Sequence, residues 1–426
     1  MEEQKDGVVV FPKEFLWGAA TSAHQVEGNN KNQWTRWEKQ NAKQLASEYK
    51  KRYSRAPGYD QFKEQGQDPN NYISGQASNH YEMYEADFSL AQEIGLNSFR
   101  FSIEWSRLEP TMGQWDEREF THYKEYIKSM RAHGLEPVMT LFHFTLPEWF
   151  ADLGDFQERD NIKYFLRFAK KVMEEFGDEI TYIVTINEPN VYAGISYFSK
   201  KWPPARKSVW KLRRATLNLA EAHNEVARMI HARGDNHKVS ISIDLAWNYA
   251  GDKSWLSKKA ASVVDWFSGD YYLRRVAKDC DFIGLNFYLS NRFVGYRLKN
   301  SNRKRNSLGW HMQPADIQFA LERLYKKYNL PVMVTENGLP DANDENREWW
   351  LKETTSALER VIKNDVELLG YIHWSLLDNF EWNKGFWPRF GLIEVDYKNN
   401  FRRTIRKSAR WYGRFIKDSK SDKKSF

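Results

Sequence analysis

PVMVTENG, residues 331–338, is the stretch that decides the fold, because it ends an apolar run with a single carboxylate, Glu336. Asn-Gly directly after a strand often marks a hairpin, but no second strand pattern follows. A helical pattern with Trp350, Leu358 and Val361 follows instead. The alternative to a hairpin is a buried parallel strand, a loop and a helix, with the Glu at the carboxyl end of the strand, where α/β proteins place their functional residues.

Seven more apolar or β-branched runs are spread along the chain, with helical patterns between them. They are FLWGAATS from 15, SFRFSI from 98, PVMTLF from 137, TYIVTIN from 181, KVSISID from 238, DFIGLNFY from 281, and LLGYIHWSLL from 368. Strands that alternate with helices at this spacing predict right-handed βαβ units and a parallel sheet. Eight such units predict a closed (β/α)₈ TIM barrel.

The chain is longer than a minimal barrel, so the excess is predicted to form long loops after the strands. A barrel needs about 250 residues, and the chain has 426. Residues 41–79 are polar and contain Pro57-Gly58, which predicts an elaborate loop over the barrel mouth. No Gly- or Ser-rich linker divides the chain, so we expect one catalytic domain over 1–426, with a frayed tail from about 417.

Charge and composition exclude several classes of partner. The net charge is +7, and the basic residues are interpreted as a solvated surface with small knots at 303–305 and 402–407, so no nucleic-acid partner is expected. The start, MEEQKDGVVVFP, lacks the basic opening of an export signal, and no run approaches the roughly 20 apolar residues of a membrane helix. We therefore expect a cytoplasmic protein with no membrane partner. The single cysteine, Cys280, is expected to be a buried, inert thiol.

A second strand also ends in a carboxylate. TINEP, residues 185–189, closes the fourth run with Glu188, just as Glu336 closes the seventh. Either residue alone could instead cap the next helix or pair with an Arg. Two carboxylates at one barrel mouth, however, suit glycoside hydrolysis, in which one protonates the leaving oxygen and the other attacks or activates water.

Six ordered motifs give the chain a family resemblance. They are FLWGAATSAHQVEG, FRFSIEWSRLEP, TINEPN, DFIGLNFY, VTENG and HWSLLDNFEW, and they span residues 15–382. Nearly the whole chain resembles family 1 of the glycoside hydrolases, the retaining β-glycosidases. The resemblance implies a (β/α)₈ barrel that uses no metal and no organic cofactor.

The resemblance also implies roles for particular residues. Glu188 matches the general acid/base and Glu336 the nucleophile, with Arg100, Asn286 and Tyr288 at supporting positions. The residues at sugar-binding positions are Gln25, His143, Asn187, Trp374, Glu381 and Trp382. Many family members carry Trp after the His, where this chain has Phe144.

Glu381 bears on the substrate class. Relatives that cleave 6-phosphoglycosides have a small hydroxyl residue at this position, followed by a Lys and a Tyr that hold the phosphate. A carboxylate would repel a phosphate of about −1.5 to −2 charge, so the free sugar is expected to be preferred. Residues 292–309 match the family poorly, and only Gly309-Trp310 resembles a family element near the leaving group. Leaving-group preference and oligomeric state are therefore left open.

The implied function is that of a retaining exo-β-glycosidase acting on small β-glycosides. It would release terminal glucosyl, galactosyl or fucosyl groups through a covalent glycosyl-enzyme, with transglycosylation as a side activity. The alternative from another class is a barrel that binds sugar or glycolipid and catalyses weakly. A metal-dependent hydrolase is a weaker alternative, because the chain has no His-x-His at a strand end.

Overall fold

A closed barrel of eight parallel strands forms the centre of the part of the chain that the structure, a computed structural model, describes: residues 11–234 and 236–420. The strands are β1 (Leu16–Ala20), β2 (Ser98–Ser102), β3 (Glu136–Phe142), β4 (Tyr182–Asn187), β5 (Lys238–Asp244), β6 (Ile283–Asn286), β7 (Val332–Asn337) and β8 (Leu368–Trp374). Each strand pairs with the next, and β8 returns to pair with β1. The predicted barrel and its eight strands are confirmed.

Helices connect successive strands and surround the barrel. The main ones are His80–Ile94, Glu117–Ala132, Ile162–Phe176, Val209–His231, Trp255–Asp265, Tyr271–Val276, Ile317–Tyr328, Arg347–Lys363 and Lys407–Lys420. Ile162–Phe176 shows why they form, since Phe165, Phe168, Val172 and Phe176 are buried at helical spacing. The helix after β7 begins at Arg347, so Asn337-Gly338 starts a loop, and the hairpin alternative is excluded.

Two apolar layers hold the barrel. Inside it, Val138, Val184, Met333 and Ile372 come from different strands and pack in one cluster. Outside it, residues of opposite parity, such as Ile183, pack against the helices. This double burial explains why the strands are nearly continuous apolar runs.

The first connection departs from the predicted loop, because residues 41–53 belong to a helix, Gln33–Tyr53, which we call the mouth helix. Asn32 caps it, accepting a hydrogen bond from the Thr35 amide at 3.0 Å. Its buried stripe includes Ala42, Leu45, Ala46 and Tyr49. Because the outer face of the mouth helix is polar, its buried stripe is not apparent from the sequence.

Smaller elements complete the connections. A three-stranded sheet, Trp247–Ala250, Ser290–Val294 and Arg297–Leu298, follows β5 and β6, and Ile393–Asp396 pairs with Arg402–Ile405. Short helices include Ala23–Val26, Lys63–Gly66, Trp105–Leu108, Glu148–Asp152 and Pro189–Ala193. The last helix, Lys407–Lys420, includes the first four residues of the expected tail, and residues 421–426 lie outside the described residues.

Three further findings concern the described residues. Burial raises the pKa of the Cys280 thiol to about 12, which agrees with the prediction of an inert thiol. None of the described helices combines the length and the apolar character needed to cross a bilayer. Within residues 11–234 and 236–420, no three His, Cys, Asp or Glu side chains are grouped so as to hold a metal ion.

Candidate active site

A cavity of about 230 Å³ lies at the carboxyl ends of the barrel strands. Nine of the eleven predicted site residues line it: Gln25, His143, Asn187, Glu188, Tyr288, Glu336, Trp374, Glu381 and Trp382. The other two, Arg100 and Asn286, are buried and hydrogen-bond to lining residues. A larger cavity, about 520 Å³, lies beside the terminal helix and contains none of these residues. The structure therefore brings the predicted set together at one place.

Glu336 is held by two donors. Arg100 Nη1 donates to Oε1 at 2.6 Å, and the Tyr288 hydroxyl donates to Oε2 at 2.7 Å. The register of β7 shifts between Val334 and Glu336 where it pairs with β6. Such irregularities re-aim side chains beside active sites, and here the carboxylate lines the cavity.

Asn337 and Gly338 fix the loop that follows Glu336. Asn337 Oδ1 accepts hydrogen bonds from Trp350 Nε1 at 2.9 Å and from the Tyr371 hydroxyl at 3.0 Å. A Cβ on Gly338 would lie 1.8 Å from the carbonyl oxygen of Trp374. The last two residues of VTENG thus pack the carboxyl end of β7 against β8.

Glu188 follows β4 with a strained backbone. Its φ is 43°, in the left-handed region that favours glycine, and it directly precedes the helix Pro189–Ala193. The register of β4 with β5 also shifts, between Val184 and Asn187. The Asn286 amide donates to Glu188 Oε1 at 2.7 Å.

The two carboxyl groups differ in their electrostatic surroundings. Burial, followed by the negative charges of Glu336 and Asp244, raises the pKa of Glu188 well above its usual value. Burial also raises the pKa of Glu336, but the Arg100 charge and the Tyr288 hydrogen bond oppose that rise. A proton shared by the pair therefore favours Glu188 and leaves Glu336 ionised. This arrangement provides an acid and a nucleophile in one pocket.

Arg100 connects several strands beneath the cavity. Besides Glu336, it donates to Thr140 Oγ1 at 3.1 Å, to the Thr335 carbonyl at 3.1 Å and to Asn187 Oδ1 at 2.7 Å. Five donors in one rigid plane suit such a junction. The guanidinium thus sets the position of Asn187 relative to Glu336.

The opposite side of the cavity is polar and aromatic. Gln25 Nε2 lies 3.3 Å from Glu381 Oε2. The His143 ring stacks with Trp374 at 5.9 Å between centroids and with Trp382 at 6.2 Å. Burial lowers the pKa of His143 well below its usual value, so the imidazole is neutral. Flat aromatic faces beside hydrogen-bonding groups fit a sugar ring.

Phe144, the residue that follows His143, lies in an aromatic cluster. Its ring centroid is 4.9 Å from that of Trp202 and 5.2 Å from that of Trp382. Its φ is 71°. Trp202 lines the cavity together with Phe144. The ring that packs beside Phe144 therefore comes from the connection after β4.

Sequence reasoning missed Asp244, the last residue of β5. It lines the cavity, and burial together with the charge of Glu336 raises its pKa to about 7. The available signal was its position at a strand end, which it shares with Glu188 and Glu336. Trp310, expected near the leaving group, does line the cavity, as does Lys384, whose Nζ lies 3.7 Å from Glu381 Oε1.

The chain is similar in sequence and in structure to several known proteins. The family model described as Glycosyl hydrolase family 1 matches residues 8–282 and 257–421. Beta-glucosidase A of Acetivibrio thermocellus is 26% identical over 465 residues, 96% of this chain and 99% of that protein. The chloroplastic Galactolipid galactosyltransferase SFR2 of Arabidopsis thaliana is 28% identical over 360 residues, 80% of this chain and 58% of that protein. The solved beta-glycosidase from Pyrococcus horikoshii matches with a TM-score of 0.84 at 31% identity, covering 96% of both chains.

Proposed function

The chain belongs to glycosyl hydrolase family 1 and is a β-glucosidase-like glycoside hydrolase, and from that premise we propose that it is a retaining exo-β-glycosidase. It releases terminal β-D-glucosyl groups, and also β-D-galactosyl and fucosyl groups, from short oligosaccharides or from aryl and alkyl glycosides. One observation carries the proposal: Glu336 is paired with a cation and a phenol, whereas Glu188 faces an amide and two carboxylates. Double displacement needs this difference in protonation.

In the first step, a Glu336 oxygen attacks the anomeric carbon and forms an ester bond to the sugar. The bond from that carbon to the leaving oxygen breaks, and Glu188 gives its proton to that oxygen. Arg100 and Tyr288, which hold Glu336, orient the attacking carboxylate.

In the second step, Glu188 is a carboxylate and removes a proton from water, whose oxygen attacks the anomeric carbon. The ester bond breaks, its electron pair returns to Glu336, and two inversions leave the product in the β configuration. A sugar hydroxyl that replaces water would accept the glycosyl group, which gives transglycosylation at high substrate concentration.

The remaining pocket residues bind the sugar. We assign Asn187 to the 2-hydroxyl, Gln25 and His143 to the 3- and 4-hydroxyls, Glu381 and Trp382 to the 4- and 6-hydroxyls, and Trp374 to the ring face. The position of His143 supports its assignment: its ring lines the cavity, and its Nε2 lies 3.2 Å from the side-chain nitrogen of Asn187.

Glu381 is proposed to select free sugars over 6-phosphorylated ones. The experiment compares kcat/KM for nitrophenyl β-glucoside, galactoside, fucoside, mannoside and 6-phosphoglucoside. The free glucoside should exceed its phosphate, because the carboxylate repels that group. The positive charge of Lys384, close to Glu381, would oppose this repulsion. If kcat/KM is higher for the 6-phosphoglucoside than for the free glucoside, the role assigned to Glu381 is contradicted.

Removal of the nucleophile tests the catalytic assignment. Glu336→Ala should abolish turnover of nitrophenyl β-glucoside, because no ester can form. Added azide should restore cleavage and give the α-glycosyl azide, since a small anion then attacks from the vacated side. The measurement is nitrophenol release together with NMR of the azide product.

The matched control is Glu394→Ala, which removes an exposed carboxylate from the strand Ile393–Asp396. It should retain the activity of the unaltered chain. Full activity in Glu336→Ala, or a β-glycosyl azide as the product, would overturn the assignment.

Glycosyl transfer to a lipid acceptor is the second candidate function. The likeness to the Galactolipid galactosyltransferase SFR2 favours it. The protein would be incubated with a galactolipid in detergent, and the products separated by mass. Oligogalactolipids in excess of free galactose would support transfer, whereas free galactose alone would support hydrolysis.

A further inference from the structure

Three segments at the barrel mouth, 198–214, 251–267 and 291–306, combine exposed apolar side chains with positive charge. Among the residues that the structure describes, 13 large hydrophobic side chains are exposed, and ten of them lie in these segments. The aromatic ones are Phe198, Trp210, Trp255, Trp266, Phe267 and Tyr296. Trp210 is 77% exposed and Trp255 73%, so neither ring packs within the chain. We call these three segments the cationic aromatic surface.

The charge of the cationic aromatic surface differs from that of the remaining chain. The segments carry 16 Lys and Arg and two Asp, a net charge of +14, while the whole chain carries +7, so the rest carries −7. Fifteen of the 16 cations are exposed, Arg292 being the partly buried one. The basic residues are therefore not distributed evenly but are concentrated on this face.

The segments are neighbours in space as well as in chemistry. They belong to the connections that follow β4, β5 and β6, which are adjacent in the barrel. The second and third segments are in direct contact, since the Gly295 amide donates to Ser257 Oγ at 2.7 Å. The first connection reaches the second beside these segments, where the Asn190 side chain donates to the Ser268 carbonyl at 2.8 Å. Trp202, within the first segment, lines the active-site cavity. The cationic aromatic surface thus borders the mouth of the pocket.

We propose that the cationic aromatic surface binds a bilayer that contains anionic phospholipids. Trp and Tyr rings favour the boundary between headgroups and acyl chains, and Lys and Arg are attracted to anionic headgroups. The aliphatic members, such as Leu256 and Leu298, add apolar area that a nucleic acid would leave unpaired. A second copy of the same face would be repelled by its charge of +14.

Bilayer binding would turn the pocket mouth toward the membrane. Glycosides whose leaving group is embedded in the bilayer would then reach Glu188 and Glu336 directly. That consequence rests on the proposed function, whereas binding to the bilayer does not. The two can fail separately, because binding is measured without turnover.

Co-sedimentation of the full chain with vesicles tests the proposal. Vesicles of phosphatidylcholine and phosphatidylglycerol should bind the protein at low ionic strength, more strongly than phosphatidylcholine alone, and added salt should weaken the binding. Lys200→Glu/Lys201→Glu and Trp210→Ala/Trp255→Ala should each reduce the partition coefficient by roughly tenfold or more. Hydrolysis of a dissolved nitrophenyl glucoside should stay unchanged, which shows that these variants fold.

The matched control is Lys128→Glu/Lys417→Glu, which reverses two exposed charges on the helices Glu117–Ala132 and Lys407–Lys420, away from the three segments. It should bind vesicles nearly as well as the unaltered chain. Absence of binding to the anionic vesicles would overturn the proposal. Equal losses in the control and the surface variants, or binding of an RNA oligonucleotide with no binding of vesicles, would also overturn it.

Discussion

Asp244 adds a third carboxylate to the pair that the mechanism uses. Its pKa of about 7 means that its negative charge develops as the pH passes through neutrality. That charge is one of the causes, after burial and Glu336, that raise the pKa of Glu188. Because Glu188 must be protonated in the first step, Asp244 extends the active range toward higher pH.

Asp244→Asn should therefore move the alkaline limb of the kcat/KM profile to lower pH. The amide cannot ionise, so Glu188 loses one of the charges that keep its proton bound. The profile should be measured with an alkyl glycoside, whose poor leaving group depends on the acid. The acid limb, set by protonation of Glu336, should move less.

Asp252→Asn provides the comparison for this variant. Asp252 lies in the same connection after β5 and is exposed. Its substitution should leave both limbs in place. An alkaline limb that stays fixed or moves upward in Asp244→Asn would contradict the assigned influence on Glu188.

Single residues differ in how well their surroundings could be predicted from the sequence. Glu188 and Glu336 stood in motifs at strand ends, and the structure brings both to one cavity. Asp244 also ends a strand, but an Asp before a loop equally predicts a turn or a helix cap. What distinguishes it is its closeness to Glu336, since both residues pair with Asn286 of the intervening strand β6, and this depends on pairings between distant segments.

At the scale of the element, the junction of β7 and β8 depends on Gly338. The Cβ of any other residue would come within 1.8 Å of the Trp374 carbonyl oxygen, which is main chain and cannot rotate away. Gly338→Ala should therefore shift the end of β7, the Trp374 ring or both. Because small displacements of reacting groups are costly, we expect kcat/KM to fall by about 10²-fold.

Gly194→Ala is the matched control for that prediction. A Cβ there would meet no atom within 4 Å, and Gly194 has a helical φ of −64°. It should change kcat/KM and the melting temperature little. If both variants kept full activity, the prediction that the close contact at Gly338 positions the Trp374 ring would be contradicted.

The elements of this fold were predictable where one apolar pattern dominated. Eight strands buried on both sides give clear apolar runs, whereas the sequence of the mouth helix predicts a loop. Its buried positions include Ala42, Leu45 and Ala46, which cluster with Tyr72 rather than with barrel residues. Small residues among Lys and Gln give only a weak helical periodicity, and Pro57, which predicts a break, lies beyond the helix end at Tyr53.

At the scale of the whole molecule, stability depends on buried carboxyl groups. Asp155 is 3% exposed and accepts hydrogen bonds from the Tyr197 hydroxyl and the Gln157 amide. Burial raises its pKa from 3.8 to about 7. The folded chain thus holds this proton more tightly than the unfolded chain, and the stabilisation present below about pH 4 is lost as the pH rises through 7.

Asp155→Asn should remove this pH-dependent loss of stability, because the amide does not ionise. Between about pH 4 and about pH 8, the free energy of unfolding of the variant should rise relative to that of the unaltered chain by up to about 4 kcal/mol. Denaturant unfolding at several pH values measures the difference. Asp160→Asn, at an exposed carboxyl nearby, should give a difference that does not vary with pH, and the same flat result for Asp155→Asn would contradict the prediction.

The barrel architecture could be predicted by counting strand patterns in the sequence, but the cationic aromatic surface could not. Its three segments are separated in the sequence by 36 and 23 residues (215–250 and 268–290), and only the third contains a basic knot, 303–305. They meet because their parent strands are adjacent in the barrel. The sequence also does not predict that Trp210 and Trp255 are exposed, because aromatic residues usually belong to a core.

The pairing of β1 with β8 has a consequence for synthesis of the chain. Leu16 pairs with Gly370 and Ala20 with Trp374, so β1 leaves the ribosome long before its partner exists. Until then, one edge of β1 offers unpaired amides and carbonyls to any other nascent strand. Trp374 both completes this edge and lines the active-site cavity. The barrel is therefore protected from mispairing, and ready to bind substrate, at the same late moment of translation.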